Sequence, residues 1–193
     1  MTTIVVAKKN GQVAIAADSL TTFGDTRLAD PYKRVHDKIL RSNGSWIGVS
    51  GSSAHHLVLE TVLVEMKEEV RLGSRPEIFE TFRKIHPILK ERCFLNPKEE
   101  DDDPYESSQI TALIANPTGI YAVYSYREVF DYDRFWAIGS GRNFALGAMY
   151  AIYDEAKSAT EIARAGVKAG IEFDKSSSAP FELHTIKLAR GVK

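Results

Sequence analysis

The chain opens on a β-branched run, Ile4-Val5-Val6-Ala7, followed by a second apolar stretch, Val13-Ala14-Ile15-Ala16, with Asn10-Gly11 between them. Apolar runs this short, bounded by turn residues, read as strands covered on both faces, and Asn-Gly closes a two-residue hairpin. The same pattern recurs. Strands are expected over 38–41 and 46–49 around Asn43-Gly44, and over 110–115 and 119–124 around Asn116-Pro117-Thr118. A further strand is expected over 130–138 and a last one over 183–188. Elsewhere the apolar spacing lengthens to three and four residues, the period of a helix with one buried face. Leu59, Val62, Leu63, Met66 and Val70 set a helix over 54–72, capped by Ser52 or Ser53 and ended by Gly73. Ile78, Phe79, Phe82, Ile85 and Leu89 set a second over 76–93, begun at Pro76 and kinked at Pro87. Phe144, Ala145, Ala148, Met149 and Ile152 set a third over 143–156, and a fourth follows over 161–173 behind Ser158 or Thr160. Gly24, Asp25, Asp30 and Pro31 make 20–37 read as irregular.

Hairpins, two helices, hairpins, two helices and a strand define an α+β chain, distinct from the strand–helix alternation of a parallel sheet. Two packed antiparallel sheets with a helix pair on each outer face would satisfy this order, giving four layers. No linker divides the 193 residues, so one domain over 1–193 is expected. With 44% hydrophobic residues the chain can build a core, and a net charge of −1 gives no electrostatic case for nucleic acid or an anionic membrane. One cysteine, Cys93, excludes an internal disulfide framework and fits a reducing compartment. No apolar run reaches the ~18 residues of a spanning helix. Without a signal-peptide pattern, the expected location is the cytoplasm.

The chemistry worth pursuing begins at the chain start. Removal of Met1 would leave Thr2 with a free amine beside its own hydroxyl. An α-amine titrates near 7.7–8.0, so it is partly neutral at pH 7 and can take a hydroxyl proton. A threonine activated by its own amine is a known kind of nucleophile. Taken alone, Met-Thr-Thr is also an ordinary start. Asp18 directly follows a buried run, and a lone Asp there equally serves as a turn residue. Lys38 alone reads as a surface lysine, and Gly51 and Gly139-Ser140-Gly141 as turns. The acidic run at 99–103 reads as a solvated loop, since adjacent carboxylates repel and show no ligand spacing. The five histidines, including His36, show no metal-ligand spacing, so no metal or cofactor is expected. The aromatics Tyr121, Tyr124, Tyr126, Phe130, Tyr132, Phe135 and Trp136 read as packing or subunit contact.

Taken together and in order, five stretches resemble the β-type subunits of the proteasome and the bacterial HslV protease, most closely a bacterial proteasome homologue. They are Thr2-Thr3-Ile4-Val5, Ala16-Ala17-Asp18-Ser19-Leu20-Thr21-Thr22, Arg34-Val35-His36-Asp37-Lys38-Ile39, Val49-Ser50-Gly51-Ser52-Ser53-Ala54 and Gly139-Ser140-Gly141. The resemblance implies a four-layer αββα sandwich, the fold of N-terminal-nucleophile hydrolases. It implies Thr2 as nucleophile once Met1 is gone, Lys38 steadying the developing alkoxide, Asp18 holding Lys38, and Gly51 donating a backbone N–H to the oxyanion. Ser140, Asp174 and Ser177 match the supporting network around the amine. Thr21, Thr22, His36 and Val49 match positions lining the first specificity pocket, with Val49 favouring apolar side chains. The segment from Asp18 to Lys38 is longer than usual for the family, and Lys33 lies nearer the usual distance. Both lysines therefore stand as candidates, with the residues around Lys38 matching better. As in HslV, no pro-segment is expected before Thr2, and while Met1 stays in place the amine is blocked.

The resemblance further implies an endopeptidase acting on unfolded polypeptides inside a double ring of six or seven subunits per ring, served by an ATP-driven unfoldase. Two rivals remain at this point: a catalytically silent ring subunit, and a hydrolase of small amides that uses the same nucleophile without a chamber.

Overall fold

The computed structural model describes residues 2–28, 32–33, 38–98, 100 and 102–191. Two antiparallel sheets lie face to face. The first has the order β10-β1-β2-β11, built from Phe135–Gly139, Thr3–Lys9, Gln12–Asp18 and Phe181–Lys187. The second has the order β5-β6-β7-β8-β9, built from Ile39–Ser42, Ser45–Ser50, Thr111–Asn116, Gly119–Val123 and Val129–Tyr132. Helices α1 (Ser53–Glu65) and α2 (Arg75–Arg92) cover the second sheet, and α3 (Arg142–Ile152) and α4 (Ala159–Phe173) cover the first. The four layers expected from the element order are present.

Strand alternation explains the layering. Ile4, Val6, Val13, Ile15 and Ala17 point to the opposing sheet, where they meet Leu113, Ala115, Ile120 and Ala122. Val5, Ala7, Ala14 and Ala16 point the other way, onto Ala145, Met149, Ile162, Ala163 and Val167 of the helices. A strand buried on both faces needs apolar residues at every position, which is why both runs lack polar alternation. Close approach is achieved with glycine. A Cβ on Gly48 of β6 would come within 2.6 Å of Ile4 Cγ2, and one on Gly170 of α4 would overlap the Thr3 side chain. Gly170→Ala is therefore expected to destabilise the protein by about 1–3 kcal/mol through overpacking. In a thermal melt this reads as a fall of several degrees, ~2–4 °C per kcal/mol for a chain of this size.

The two Asn-Gly hairpins form as expected, with Asn10, Gly11, Asn43 and Gly44 all at positive φ. Ser52 accepts from the Ala54 N–H and Ser158 from the Glu161 N–H, so these serines cap α1 and α4.

Four expectations need correction. The stretch 20–37 is not irregular throughout: Thr21–Phe23 (β3) and Thr26–Leu28 (β4) pair across a turn at Gly24-Asp25. The strand expected over 130–138 is two strands. β9 belongs to one sheet and β10 to the other, so the chain crosses between layers at Asp133-Arg134. Helix α1 stops at Glu65, not Leu72. It has no basic residue in its last turn, while Glu65, Glu68 and Glu69 gather where the helix dipole is negative. The carbonyls of Lys67 and Val70 are taken up instead by Asn43 Nδ2, at 2.7 and 3.0 Å. Phe79 and Phe144 are about half exposed, although the helical period counted them on the buried stripe.

Within the aromatic run Tyr124, Tyr132 and Trp136 pack on one another, while Phe130 is about half exposed. Tyr132 stacks on Trp136 with centroids 5.0 Å apart, and Trp136 Nε1 donates to the Tyr124 hydroxyl at 2.8 Å. No helix among the described residues is long and apolar enough to cross a membrane. Nor, among them, do three or more His, Cys, Asp or Glu side chains gather into a metal-holding group.

Candidate active site

Thr2 directly precedes β1 and is buried. The β1–β2 register pairs Ile4 with Ala17, so the last residue of β2, Asp18, arrives beside Thr2 and Thr3. Asp18 is fully buried, and both of its oxygens are occupied. Oδ1 accepts from Thr2 Oγ1 at 2.7 Å, the Thr3 N–H at 2.9 Å and Lys38 Nζ at 2.8 Å. Oδ2 accepts from the Leu20 N–H at 2.9 Å and the Ser178 N–H at 3.2 Å. A buried carboxylate needs this many donors to remain charged without prohibitive cost.

Lys38 lies immediately before β5 and reaches across the gap between the sheets. Its ammonium donates to Thr2 Oγ1 at 2.5 Å as well as to Asp18. Burial pushes its pKa below the ordinary lysine value; Asp18 opposes this, and the neighbouring Lys33 adds to it. Pulled down on balance, the Lys38 ammonium releases a proton more readily than a surface lysine. Of the two candidate lysines, Lys38 is the one whose ammonium bonds to Thr2. Lys33 Nζ donates to the Ser19 carbonyl and lines the same cleft.

On the other side of Thr2, Ser140 Oγ accepts the Thr2 N–H at 3.2 Å and donates to Asp174 Oδ2 at 2.6 Å. Ser177 Oγ donates to the same Asp174 oxygen at 2.7 Å and lies 2.7 Å from Thr3 Oγ1. A hydroxyl has one proton. With the Ser177 proton on Asp174, the Thr3 hydroxyl is the donor to Ser177. The network thus fixes Ser140 as an acceptor facing the Thr2 nitrogen. Gly139, at φ +89°, admits this approach, since a Cβ there would collide with the Thr2 carbonyl. The Gly141 N–H donates to that carbonyl at 3.3 Å.

Thr2 and Lys38 open onto a cleft of about 850 Å³ whose walls include Thr21, Thr22, Trp46, Val49, Gly51 and Leu57. Gly51 sits at φ +132°, a conformation for glycine, where β6 turns into α1. Of the expected site residues, Thr2, Asp18, Lys38, Ser140, Asp174 and Ser177 form one hydrogen-bonded set, and Gly51, Thr21, Thr22 and Val49 line the cleft beside it. His36 lies outside the described residues. Of the acidic stretch, Glu100 and Asp102 are exposed and Asp103 accepts the Glu100 N–H at 2.9 Å, none of the three lining the cleft, while 99 and 101 are outside the described residues.

Two contributors escaped the sequence reading. The Thr3 hydroxyl joins the Ser177–Asp174 network, although Thr-Thr offered no means of ranking the second threonine. Glu182 bonds to the backbone of Lys38 and Ile39, but the strand expected to start at Leu183 left it outside.

Two facing sheets between helix pairs, with a threonine at the head of a central strand, define the N-terminal-nucleophile hydrolase fold. Within that class, residues 1–186 match the family model described as proteasome subunit, and the chain belongs to the proteasome family. It is 36% identical to Thiobacillus denitrificans BPH, covering 97% of this chain and 99% of that one. The TM-score is 0.91 for one solved structure of that protein and 0.90 for its complex with epoxomicin. It is 29% identical over 165 residues to the ATP-dependent protease subunit HslV of Bartonella quintana (strain Toulouse), covering 84% of this chain and 77% of that protein. Eukaryotic HslV from Trypanosoma brucei shares the fold, with 19% identity over 96% of this chain and 99% of that one at a TM-score of 0.70.

Proposed function

We propose that this chain is a threonine-type endopeptidase subunit, one domain over 1–193, whose nucleophile is Thr2 after Met1 is removed. The observation that carries the reading is the convergence of Lys38 Nζ and Asp18 Oδ1 on Thr2 Oγ1, at 2.5 and 2.7 Å. With the amine freed, the hydroxyl proton passes to the Thr2 nitrogen, directly or through a water, as Oγ1 attacks the scissile carbonyl carbon. The Lys38 ammonium stabilises the charge left on Oγ1. The Gly51 N–H stabilises the charge that builds on the carbonyl oxygen. The Thr2 ammonium then protonates the departing amine as the C–N bond breaks, leaving an acyl ester on Thr2. A water, deprotonated by the same nitrogen, hydrolyses that ester and restores the hydroxyl. Ser140, held as an acceptor by Asp174, directs the amine's N–H away from Oγ1 and leaves its lone pair for the proton.

The family match and the HslV relative support assembly into closed rings stacked as a pair, with six or seven subunits in each, the cleft facing an inner chamber that admits unfolded polypeptides. The relative's name, an ATP-dependent protease subunit, supports a partner ATPase that feeds the chamber. Ring closure requires a repeated heterologous interface.

Hydrolysis of fluorogenic peptides by the assembled protein tests this reading, with a sizing column run alongside. A large ring assembly that cleaves peptides is expected. An inactive ring would favour the silent subunit, and an active small oligomer cleaving only small amides would favour the other rival. The pH profile of kcat/KM should be bell-shaped. Activity rises with pH as the Thr2 amine gives up its proton. It falls again as Lys38 loses its own, below the ordinary lysine range because burial lowers that pKa. A profile still rising beyond the ordinary lysine range would exclude the ammonium role.

A further inference from the structure

The backbone of Lys38 is bonded from the opposite sheet. β5 is the outer strand of the five-stranded sheet and β11 the outer strand of the four-stranded one. An outer strand carries N–H groups with no ladder partner, and such groups need an acceptor when water is excluded. Glu182 of β11 provides one: its Oε1 accepts the Lys38 N–H at 2.9 Å and the Ile39 N–H at 3.0 Å. On the other edge of the same residue, the Lys38 carbonyl accepts from the Val49 N–H at 3.1 Å. The lysine backbone is thus clamped between the sheets, with β6, the strand that leads to Gly51, on one side and β11 on the other.

The strand register explains how Glu182 reaches this point. β11 pairs with β2 so that Glu182 faces Ala17 and Phe181 faces Asp18. Glu182, His184 and Ile186 share the face turned to the second sheet. Ile186 packs there against the inter-sheet core, and the His184 ring stacks on Trp46 of β6 with centroids 3.7 Å apart. His184 Nε2 lies 3.3 Å from Glu182 Oε2, so the second carboxylate oxygen is also held. Even a half-buried carboxylate carries some desolvation cost. Closing a strand edge does not by itself require a charge.

We propose that Glu182 is the positioning residue for Lys38: its bonds to two successive backbone N–H groups aim the ammonium at Thr2 Oγ1. The proposal rests on the reading of Thr2 and Lys38 as the reacting pair. A shift at the Lys38 backbone carries its ammonium away from the 2.5 Å contact with Thr2 Oγ1 unless the side chain leaves its rotamer to follow. Misplacement of about 1 Å can cost ~10²-fold in rate.

The test compares wild type, Glu182→Ala and Glu182→Gln in two assays: peptide hydrolysis, and competitive acetylation of Lys38 by acetic anhydride across pH, read by peptide mass. Glu182→Ala should lose about 10²-fold in kcat with KM within about twofold of wild type, since ground-state binding is untouched. Glu182→Gln keeps an oxygen able to accept both N–H groups and should recover most of that loss. In Glu182→Ala, Lys38 should acetylate faster and titrate closer to a free lysine, because its burial beside Asp18 is relaxed. An unchanged Lys38 acetylation profile overturns the proposal even if kcat falls, and so does a Gln variant as impaired as the Ala variant. If Glu182→Ala does not assemble, Glu182→Asp, too short to span both N–H groups, replaces it with the same expected direction. The acetylation assay needs no turnover. A wild-type protein that cleaves nothing would refute the peptidase reading, while the Lys38 profile would still decide the role of Glu182.

Discussion

Thr2→Ala should abolish peptide hydrolysis, with a fall in kcat on the order of 10⁶-fold, the scale seen when a nucleophile acting as part of a unit is removed. Three contacts converge on this residue: Lys38 and Asp18 on its hydroxyl, and Ser140 on its nitrogen. The substitution takes away the attacking atom, on which Lys38 would steady the developing charge, while Asp18 remains the lysine's ion-pair partner. The fold should survive, because Thr2 precedes β1 and the Thr3 N–H still bonds to Asp18. Thr2→Ser retains both hydroxyl and amine and should keep substantial activity. If Thr2→Ala assembles normally and still cleaves peptides at more than about a hundredth of the wild-type rate, the catalytic power lies elsewhere.

The second large effect is expected at Asp18. Truncation to alanine removes the acceptor for Thr2, Thr3, Lys38, Leu20 and Ser178 together. Breaking a buried ion pair by removing one partner costs about 3–5 kcal/mol, since the other charge is left without compensation. At ~2–4 °C per kcal/mol for a chain of this length, Asp18→Ala should melt roughly 10 °C or more below wild type. It should also be inactive. Asp18→Asn keeps the shape and an acceptor oxygen but not the charge. It should recover part of the stability and little of the activity, because the neutral amide no longer holds the ammonium against desolvation. Thermal melts of the assembled variants separate the two contributions. Equal stability for Asp18→Ala and wild type would mean that Lys38 is not charged where it sits.

The sequence carried the layers and most of the site for different reasons. Both-face burial of β1 and β2 leaves a mark in single residues: uninterrupted apolar runs, each closed by its own turn. Most of the hydrogen-bonded set around Thr2 is legible in short motifs spread from Thr2 to Gly141, whose meaning lies in their joint order, while Asp174 and Ser177 follow only from the family resemblance those motifs carry. Lys38 and Lys33 could not be separated by spacing, because the chain between Asp18 and either lysine includes the β3–β4 hairpin. Only the cross-sheet contact chooses. The division of 130–138 between two sheets was illegible because a change of layer at Asp133-Arg134 is a tertiary event. Val70 misled in a similar way: a buried residue can keep helical spacing after the helix has ended, since the core demands burial and not a conformation. Glu182 was hidden because its importance depends on which sheet edge faces it.

The most direct test of the central claim is the intact mass of the purified wild-type protein before and after treatment with an active-site-directed lactone or vinyl sulfone, followed by peptide mapping. The account predicts a starting mass that lacks Met1 and a single adduct on Thr2, absent from Thr2→Ala. A peptide-cleaving protein that still retains Met1, or an adduct mapped to another residue, would contradict it.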